Sequence, residues 1–519
     1  MKTSKIICAI VACAFTGGIF AQTEYDVVKM TGEDLNGTAR FVGMGGAMGA
    51  LGGDMSTMGT NPAGIGIYRK NEIAATMGVS SVKFNGEGKT IPTFDNIGFV
   101  YSTKIGNNTS LRYVNFGFNY HRSKDLNNKL MVDYSKNDLF NSNINNQMSL
   151  TQIMAGMATG VSQTDFDDFF YKYPNNVSNN NSMWNVGRLG QLGCLGNLIE
   201  PGTISPNGEQ QYLYTPANSA RYYREQTGGV DEYDFNVACN VDDRFYFGAT
   251  LGTFNVDYNI YSVYSEGSVY NNENRSFTLR NWQKTSGYGV NLKLGVIIRP
   301  IETSPFRIGL AVHTPTWFNL TNTYGTNLMS DYVTDEYNNI NPSDMKWDYD
   351  LTTPWKFNVS LGSTFANVLA LGAEYEYQDY TTSKLHNDDG SDMRDENRYM
   401  DEDLKGVQTF RVGMEAKLAP EFSLRFGYNF SSSVMKKSAY NYISAYNYTD
   451  AAFANGFQRN VFTCGLGYRG KSLYADLAYL YSTQKYDFYA FSDKFNADLM
   501  AKDVNLNHNK VLMTIGFRF

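Results

Sequence analysis

The sequence predicts an all-β fold: a fourteen-stranded antiparallel transmembrane β-barrel with an N-terminal plug (hatch) inside its lumen. Three observations support this prediction. Apolar and polar residues alternate in many segments, the links between these segments are alternately short and long, and a glycine-rich stretch near the N-terminus carries almost no charge. Alternation is typical of strands with one apolar face, and two classes of link are typical of the two ends of a closed barrel.

The first residues have the form of an export leader. A basic start, an apolar run over 6–20 and the small residue Ala21 predict a secretory signal peptide over residues 1–21. The alternative is lipoprotein processing at Cys13. It is the weaker alternative, because cleavage there would leave an apolar run at the mature N-terminus.

The charge and the cysteines exclude several classes of function. The formal charge is -7 and becomes about -9 without the leader, which holds two lysines and no acid. A mildly acidic exported chain is not suited to binding nucleic acid. The mature chain keeps Cys194, Cys239 and Cys464 without C-x-x-C spacing, so we expect no disulfide framework and no zinc or other metal site.

The glycine-rich stretch, residues 37–68, is the basis for the predicted plug. Its only charges are Arg40 and Asp54, and its methionines are flexible fillers for an irregular cavity. Such a segment would be a poor free-standing domain, so we predict that residues 22–71 lie inside another structure. A dinucleotide-binding loop is excluded, since methionine stands at the third glycine position and no βαβ unit follows.

Residues 72–519 carry the barrel signal. Alternation extends over nine residues at 288–296 and again at 422–430. A soluble sandwich also alternates, but it would rarely keep small polar residues on one face and aromatic residues on the other through so many strands. The fourteen predicted strands are 72–84, 94–105, 111–121, 230–241, 244–264, 275–299, 306–314, 353–364, 367–380, 405–418, 421–432, 457–468, 471–482 and 508–519.

The links between these strands support the count. Counting back from the C-terminus, every second link is short, and the intervening links, such as 315–352, are longer and polar. This is the asymmetry of periplasmic turns and extracellular loops. The longest, extracellular loop 122–229, is too long for a plain loop. Its apolar pieces, 150–161 and 183–199, predict short helices, and we expect it to fold over or into the barrel mouth.

Four cations point into the lumen by strand parity: Lys293, Arg307, Arg411 and Arg425. They are candidates for binding the carboxylate head group of a ligand. The alternative is that they pair with inward-facing acids, for example Glu374, Glu376 and Glu415. No catalytic motif and no histidine pair with metal-ligand spacing is present, so we expect no enzyme and no cofactor, although an outer-membrane lipase would need no local motif.

The C-terminus and the turn Asn61-Pro62-Ala63-Gly64 are the last two features that indicate a protein family. The last strand alternates and ends in Phe519, which resembles the signal that the outer-membrane assembly machinery reads. The leader, the glycine-rich segment ending in this turn, the fourteen strands and the terminal Phe resemble the outer-membrane long-chain fatty-acid transporter (FadL/TodX) family. The chain departs from the family pattern in the length of 122–229, the region that builds the outer binding groove in the family.

The resemblance implies a monomeric barrel in the outer membrane of a Gram-negative bacterium, surrounded by lipid and plugged by an N-terminal hatch. Members take up hydrophobic compounds by diffusion, from an outer groove to an inner pocket, with lateral exit through an opening in the wall. By the matching motif, Asn61, Pro62, Ala63 and Gly64 would be hatch residues near the gate.

Two functions follow as hypotheses. The first is a channel for passive uptake of hydrophobic or amphipathic small molecules such as long-chain fatty acids. The alternative is an outer-membrane scaffold, secretion-attachment factor or adhesin that acts through its extracellular loops. A channel should have a continuous apolar pocket between hatch and wall with a side opening. A scaffold should have a filled lumen and an exposed protein-binding face on 122–229.

Overall fold

The computed structural model describes residues 24–519 with seven short gaps. The predicted leader therefore lies outside the described residues. The gaps are residues 107–108, 142–145, 174–176, 271–272, 334–338, 440–447 and 492–500.

Strands dominate the described residues, in which six α-helices lie near the N-terminus or in the long loops. The helices are α1 (Glu24–Thr31), α2 (Ala39–Gly43), α3 (Leu150–Ala158), α4 (Gln163–Lys172), α5 (Arg188–Leu195) and α6 (Arg394–Asp403). The strands are β1 (Glu72–Phe84), β2 (Glu87–Lys104), β3 (Leu111–Asp125), β4 (Asn128–Tyr134), β5 (Phe140–Asn141), β6 (Asn146–Gln147), β7 (Ile199–Ile204), β8 (Gln210–Tyr214), β9 (Ala217–Val241), β10 (Phe245–Tyr270), β11 (Glu273–Ile298), β12 (Arg307–His313), β13 (Trp317–Ser330), β14 (Asn339–Ile340), β15 (Met345–Thr352), β16 (Lys356–Phe365), β17 (Leu369–Asp379), β18 (Lys384–Asn387), β19 (Gly406–Lys417), β20 (Phe422–Ser431), β21 (Phe453–Arg469), β22 (Leu473–Tyr489) and β23 (Lys502–Arg518).

The wall is a closed antiparallel barrel with fourteen strand positions, which confirms the predicted fold class. Around the barrel the order is β1, β2, β3, β9, β10, β11, β12, β16, β17, β19, β20, β21, β22 and β23. The last strand pairs with the first in a register that joins Glu72 to Arg518. Closure leaves no unpaired strand edge at this seam, which a barrel in lipid requires.

Two wall strands are interrupted by proline and then continue. Both β12 and β13 pair with β11, so Pro315 divides one wall strand into two pieces. Pro354 divides its neighbour into β15 and β16 in the same way. The prediction that 315–352 is a loop is therefore wrong. Proline lacks the N–H for the ladder, so it breaks the pairing locally while the strand resumes beyond it.

Several strands are longer than predicted at the end of the barrel that carries the long loops, which we call the long-loop end. Strand β2 begins at Glu87 instead of 94, after a two-residue turn in which Asn85 and Gly86 both have positive φ. Strand β9 begins at Ala217 instead of 230. Both faces of these extensions are largely polar, so period-two alternation could not reveal them.

The remainder of the predicted loop 122–229 forms a folded cap, residues 135–216. It contains α3, α4, α5 and the hairpin β7–β8, so both predicted helical pieces contain a helix and α4 is additional. Apolar cap residues such as Met154 and Leu192 share a buried cluster with Phe277 and Leu328 of the wall. The Glu266 carboxylate of β10 accepts a hydrogen bond from the first backbone N–H of α3 at 3.0 Å, which caps the helix.

The outer surface of the wall carries an apolar girdle. Exposed side chains alternate with buried polar ones along each strand, as in β16, where Phe357, Val359 and Leu361 face outward while Asn358 and Ser360 face inward. No helix within the described residues is both long enough and apolar enough to cross a membrane.

Candidate functional site

The barrel lumen contains the N-terminal segment, residues 24–68, which we call the luminal segment. Four of its five methionines are fully buried: Met44, Met48, Met55 and Met58. Asp54 accepts hydrogen bonds from the Thr38 hydroxyl at 2.8 Å and from the backbone N–H of Ser56 at 3.0 Å. These bonds tie two turns of the segment together, so it has an ordered fold of its own inside the wall.

The motif 61–64 forms one 3₁₀ turn of this segment. Asn61 caps the turn by accepting from the backbone N–H of Ala63 at 3.2 Å, and Pro62 occupies the first turn position, where its missing N–H costs nothing. The Asn61 side chain also donates to the wall carbonyl of Val296 at 3.4 Å. The motif therefore fixes the luminal segment against β11.

Nine inward-facing glycines of the wall make room for the luminal segment, and we call them the wall glycines. They lie on nine different strands: Gly98, Gly117, Gly248, Gly295, Gly309, Gly362, Gly372, Gly413 and Gly427. A Cβ added at Gly413 would overlap the carbonyl oxygen of Met44, and one at Gly427 would overlap the backbone N of Gly45. Wall and segment are therefore in backbone contact.

One part of the wall lacks a complete ladder. Residues 96–104 of β2 pair with β3, and this pairing ends at Asn96 and His121. Within the described residues, the earlier part of β2, residues 87–95, has no ladder partner on β3. Closer to the long-loop end, the Lys89 side chain donates a hydrogen bond to Glu225 of β9 at 3.0 Å. Between these two levels the wall has a gap, which we call the β2–β3 gap.

Residues 34–36 of the luminal segment cover this gap from inside, and we call them the edge segment. The backbone N–H of Asp34 donates to the Ser123 carbonyl at 2.8 Å, as a neighbouring strand would. The Asn36 side chain donates to the Arg122 carbonyl at 3.0 Å. The free edge of β3 is thus satisfied by the luminal segment instead of by β2.

Charged side chains hold the edge segment at both of its ends. The Asp34 carboxylate lies 2.8 Å from Arg459 and 3.4 Å from Lys124. Burial raises the pKa of Asp34, but the charges of Lys124 and Arg459 outweigh burial and hold that pKa well below its ordinary value. Asp34 is therefore ionised at neutral pH, and its ion pairs are fully formed.

At the other end, Asn36 binds a buried ion pair between Asp95 and Lys510. Asn36 donates to Asp95 at 3.2 Å and accepts from Lys510 at 3.1 Å. Asp95 occupies a β-bulge of β2, where the register against β1 shifts, and the bulge turns it into the lumen. Parity alone did not predict this placement, although the adjacent polar residues Asp95 and Asn96 interrupt the alternation and are a signal of the bulge.

A cavity of ≈ 320 Å³ lies beside α1 of the luminal segment and reaches Asp34 of the edge segment. Asp34 and Lys124 line it, together with apolar side chains such as Val28, Leu126 and Phe453. This cavity is therefore not the continuous apolar pocket expected of a channel. The lining combines apolar side chains with ion pairs, because the luminal segment and the wall meet here through charged groups.

Three of the four predicted head-group cations are bound by carboxylates, as the alternative prediction held. Lys293 is buried and binds Asp234 at 2.9 Å and also Glu232. The pairs of Arg411 are with Glu374 at 2.6 Å and Glu376 at 3.1 Å. The pairs of Arg425 are with Glu415 and Asp476, both at 2.6 Å. Such buried pairs brace the lumen.

Arg307 differs from these three. It donates to the backbone carbonyl of Leu51 at 2.7 Å, and its buried Nε has no hydrogen-bond partner within the described structure. The head-group prediction stays a prediction for all four cations, and Arg307 is the one of them that binds no carboxylate among the described residues. In the part of the chain that the structure describes, no group of three His, Cys, Asp or Glu side chains is placed to hold a metal ion.

Comparisons with known proteins agree with this geometry at the level of the fold. No protein-family model and no curated protein sequence matches the chain. A Pseudomonas aeruginosa FadL homologue superimposes with a TM-score of 0.51 at 12% identity, covering 94% of this chain and 100% of that one. The CymD monoaromatic hydrocarbon channel gives 0.49 at 11% identity, covering 95% and 98%, and the Pseudomonas putida toluene transporter TodX gives 0.46 at 11% identity, covering 94% and 99%. The first of these likenesses shows a shared architecture: the chain has the FadL-type barrel fold.

Proposed function

We propose that the protein is an outer-membrane channel for passive uptake of hydrophobic or amphipathic small molecules. The observation that carries this proposal is the β2–β3 gap, an interruption of the wall that residues of the luminal segment cover from inside. An apolar solute gains little from an axial water path, whereas a side opening delivers it directly into the lipid. The FadL-type fold, and the lateral exit that the sequence resemblance implies, support the same route.

The orientation in the membrane is part of the proposal. The exposed apolar girdle faces lipid, the cap lies outside the cell, and the short turns and the C-terminus face the periplasm. We propose further that the protein acts as a monomer and that the assembly machinery recognises the strand ending at Phe519.

The route we propose begins in the cavity and ends at the β2–β3 gap. Asp34 lines the cavity and also holds the edge segment on β3, so the cavity extends to the segment that covers the β2–β3 gap. Release of the edge segment would join the cavity to the lipid through the gap. The mixed lining suits an amphipathic solute with an apolar tail and a polar head, and a long-chain fatty acid is the specific solute that we propose.

Uptake by cells tests the proposal. Cells that lack the protein and cells that express it should be given a labelled long-chain fatty acid and, separately, a neutral aromatic hydrocarbon. We expect faster uptake of at least one of these solutes with the protein, provided that surface levels of folded barrel are verified. Equal uptake of all solutes in both strains would remove the channel hypothesis.

Attachment to a protein partner is a second candidate, and one observation favours it. The cap exposes large apolar side chains, namely Tyr171, Ile204 and Leu213. Exposed apolar groups of this kind are found on binding surfaces. The same uptake comparison separates the two candidates, because a scaffold would change uptake of no solute.

A further inference from the structure

A second cavity lies on the opposite side of the luminal segment from the first. It has a volume of ≈ 560 Å³, opens at the short-turn end of the barrel, and we call it the basal vestibule. Its roof includes Leu51 and Ile67 of the luminal segment, and its wall includes Val368 and Leu369. These side chains give the vestibule an apolar surface close to the barrel mouth.

The charges around the vestibule are strongly unbalanced. Seven cationic side chains line it, against the single carboxylate of Glu415. Glu415 is bound by Arg40 at 2.9 Å and also by Arg425 at 2.6 Å, so it is not free to neutralise others. Two more of the seven cations have partners outside the vestibule, since Arg69 pairs with Asp243 and Arg518 pairs with Glu72.

The other four cations have no carboxylate within ion-pair distance among the described residues: Lys70, Arg307, Lys417 and Arg469. Arg307 donates to the Leu51 carbonyl and keeps a buried Nε without a partner. The Arg469 guanidinium lies 5.6 Å from the centre of the Tyr474 ring. Like charges gathered around a partly enclosed space repel one another, and a bound anion would remove that repulsion.

We propose that the basal vestibule binds an anionic amphiphile. Its carboxylate or phosphate head group would be held by Arg307, whose buried Nε has no other partner among the described residues, in the positive field of Arg469, and its apolar chain would lie on Leu51, Ile67 and Val368. Guanidinium groups bind both kinds of head group with paired hydrogen bonds. The site lies outside the proposed uptake route, and binding there does not require transport.

The contact between Arg307 and Leu51 gives this binding a consequence for the luminal segment. Arg307 uses one N–H for the Leu51 carbonyl, so a head group can bind the free Nε of the same guanidinium. Arg40 differs, because it belongs to the luminal segment itself and donates to the Gly53 carbonyl of the same segment at 2.9 Å. An anion bound in the vestibule would therefore lie where the wall contacts the base of the luminal segment, on the same guanidinium that binds Leu51.

Calorimetric titration of the purified full-length protein in an uncharged detergent tests the proposal. The probes are dodecanoate, dodecyl phosphate, dodecanol and inorganic phosphate. We expect both anionic amphiphiles to bind at one site. Dodecanol and inorganic phosphate should bind at least about tenfold more weakly. Preference for one anion over the other identifies the head group. Equal affinity for dodecanol, or for inorganic phosphate, would overturn the proposal.

Variants locate the site. The double variant Arg307→Gln with Arg469→Gln should bind both anionic amphiphiles about tenfold more weakly and leave dodecanol unchanged. The matched control, Lys284→Gln with Arg398→Gln, removes two exposed charges far from the vestibule and should bind as the natural protein does.

A second double variant and a salt series test the site independently, in case the first double variant misfolds. Lys70→Gln with Lys417→Gln changes two exposed lysines and should also weaken anion binding. Affinity for dodecanoate should fall as salt rises. Full affinity in both double variants, or no salt dependence, would contradict the site. A protein that takes up no solute would still give these results, so this test is separate from the uptake test.

Discussion

Replacing Asp34 with alanine is expected to raise the uptake of a neutral hydrophobic solute about tenfold while the barrel still assembles. The change removes the pairs with Lys124 and Arg459 and the hydrogen bond that Asp34 accepts from the backbone N–H of Asp125. Hydrogen bonds to a charged group contribute about 1.5–3 kcal/mol, and 1.4 kcal/mol is a tenfold change in population. The edge segment should therefore leave β3 more often and open the β2–β3 gap.

The measurement is the initial uptake rate of a neutral aromatic hydrocarbon, normalised to the amount of folded barrel at the surface. Asp133→Ala is the matched control, because it removes an ion pair with Arg221 that is exposed and distant from the luminal segment. The control should have the natural rate. An unchanged or lower rate in Asp34→Ala, at natural levels of folded barrel, would show that the edge segment does not limit uptake.

Valine at Gly413 is expected to displace the luminal segment and make the outer membrane permeable to large antibiotics. The added side chain would occupy the position of the Met44 carbonyl, and backbone cannot move aside as a flexible side chain can. Its ladder partners Gly372 and Gly427 are also in contact with backbone atoms of the luminal segment, so the added side chain finds no free space beside it. Residues near Met44 should therefore leave the wall.

Antibiotic sensitivity and single-channel conductance of the purified barrel measure this effect. Gly156→Val is the control, because a Cβ at that cap position meets nothing within 4 Å. Natural permeability in a correctly folded Gly413→Val barrel would contradict the tight fit of segment and wall. If the variant failed to assemble while the control assembled, the luminal segment would be an element required for folding.

The barrel could be predicted from the sequence because the alternation that specifies its strands is a local pattern. Lipid on one side and a polar lumen on the other impose period two, which alternation at 288–296 and 422–430 displays directly. The sequence analysis did not predict the extensions 317–330 and 345–352, which lie beyond Pro315 and before Pro354 and pair with each other.

The partners inside the lumen were not accessible from the sequence. Parity turns Lys293 inward, but its carboxylates come from β9, two strands away, and only the register brings them together. The apolar alternation of β3 ends at Tyr120, so the sequence predicts that the strand ends at 121 and does not reveal that it continues to Asp125 without β2 beside it. Asp34 and Asn36 acquire their roles from contacts with residues more than fifty positions away along the chain.

Photolabelling measures the proposed route most directly. A neutral alkane that bears a diazirine should be activated in outer membranes containing the protein, and the labelled residues mapped by mass spectrometry. We expect labels on 91–95 of β2 and 122–128 beside β3, with more of them in Asp34→Ala. Labels confined to Gly52 and Ile67 at the base of the luminal segment would show that solutes pass along the barrel axis and would contradict lateral exit.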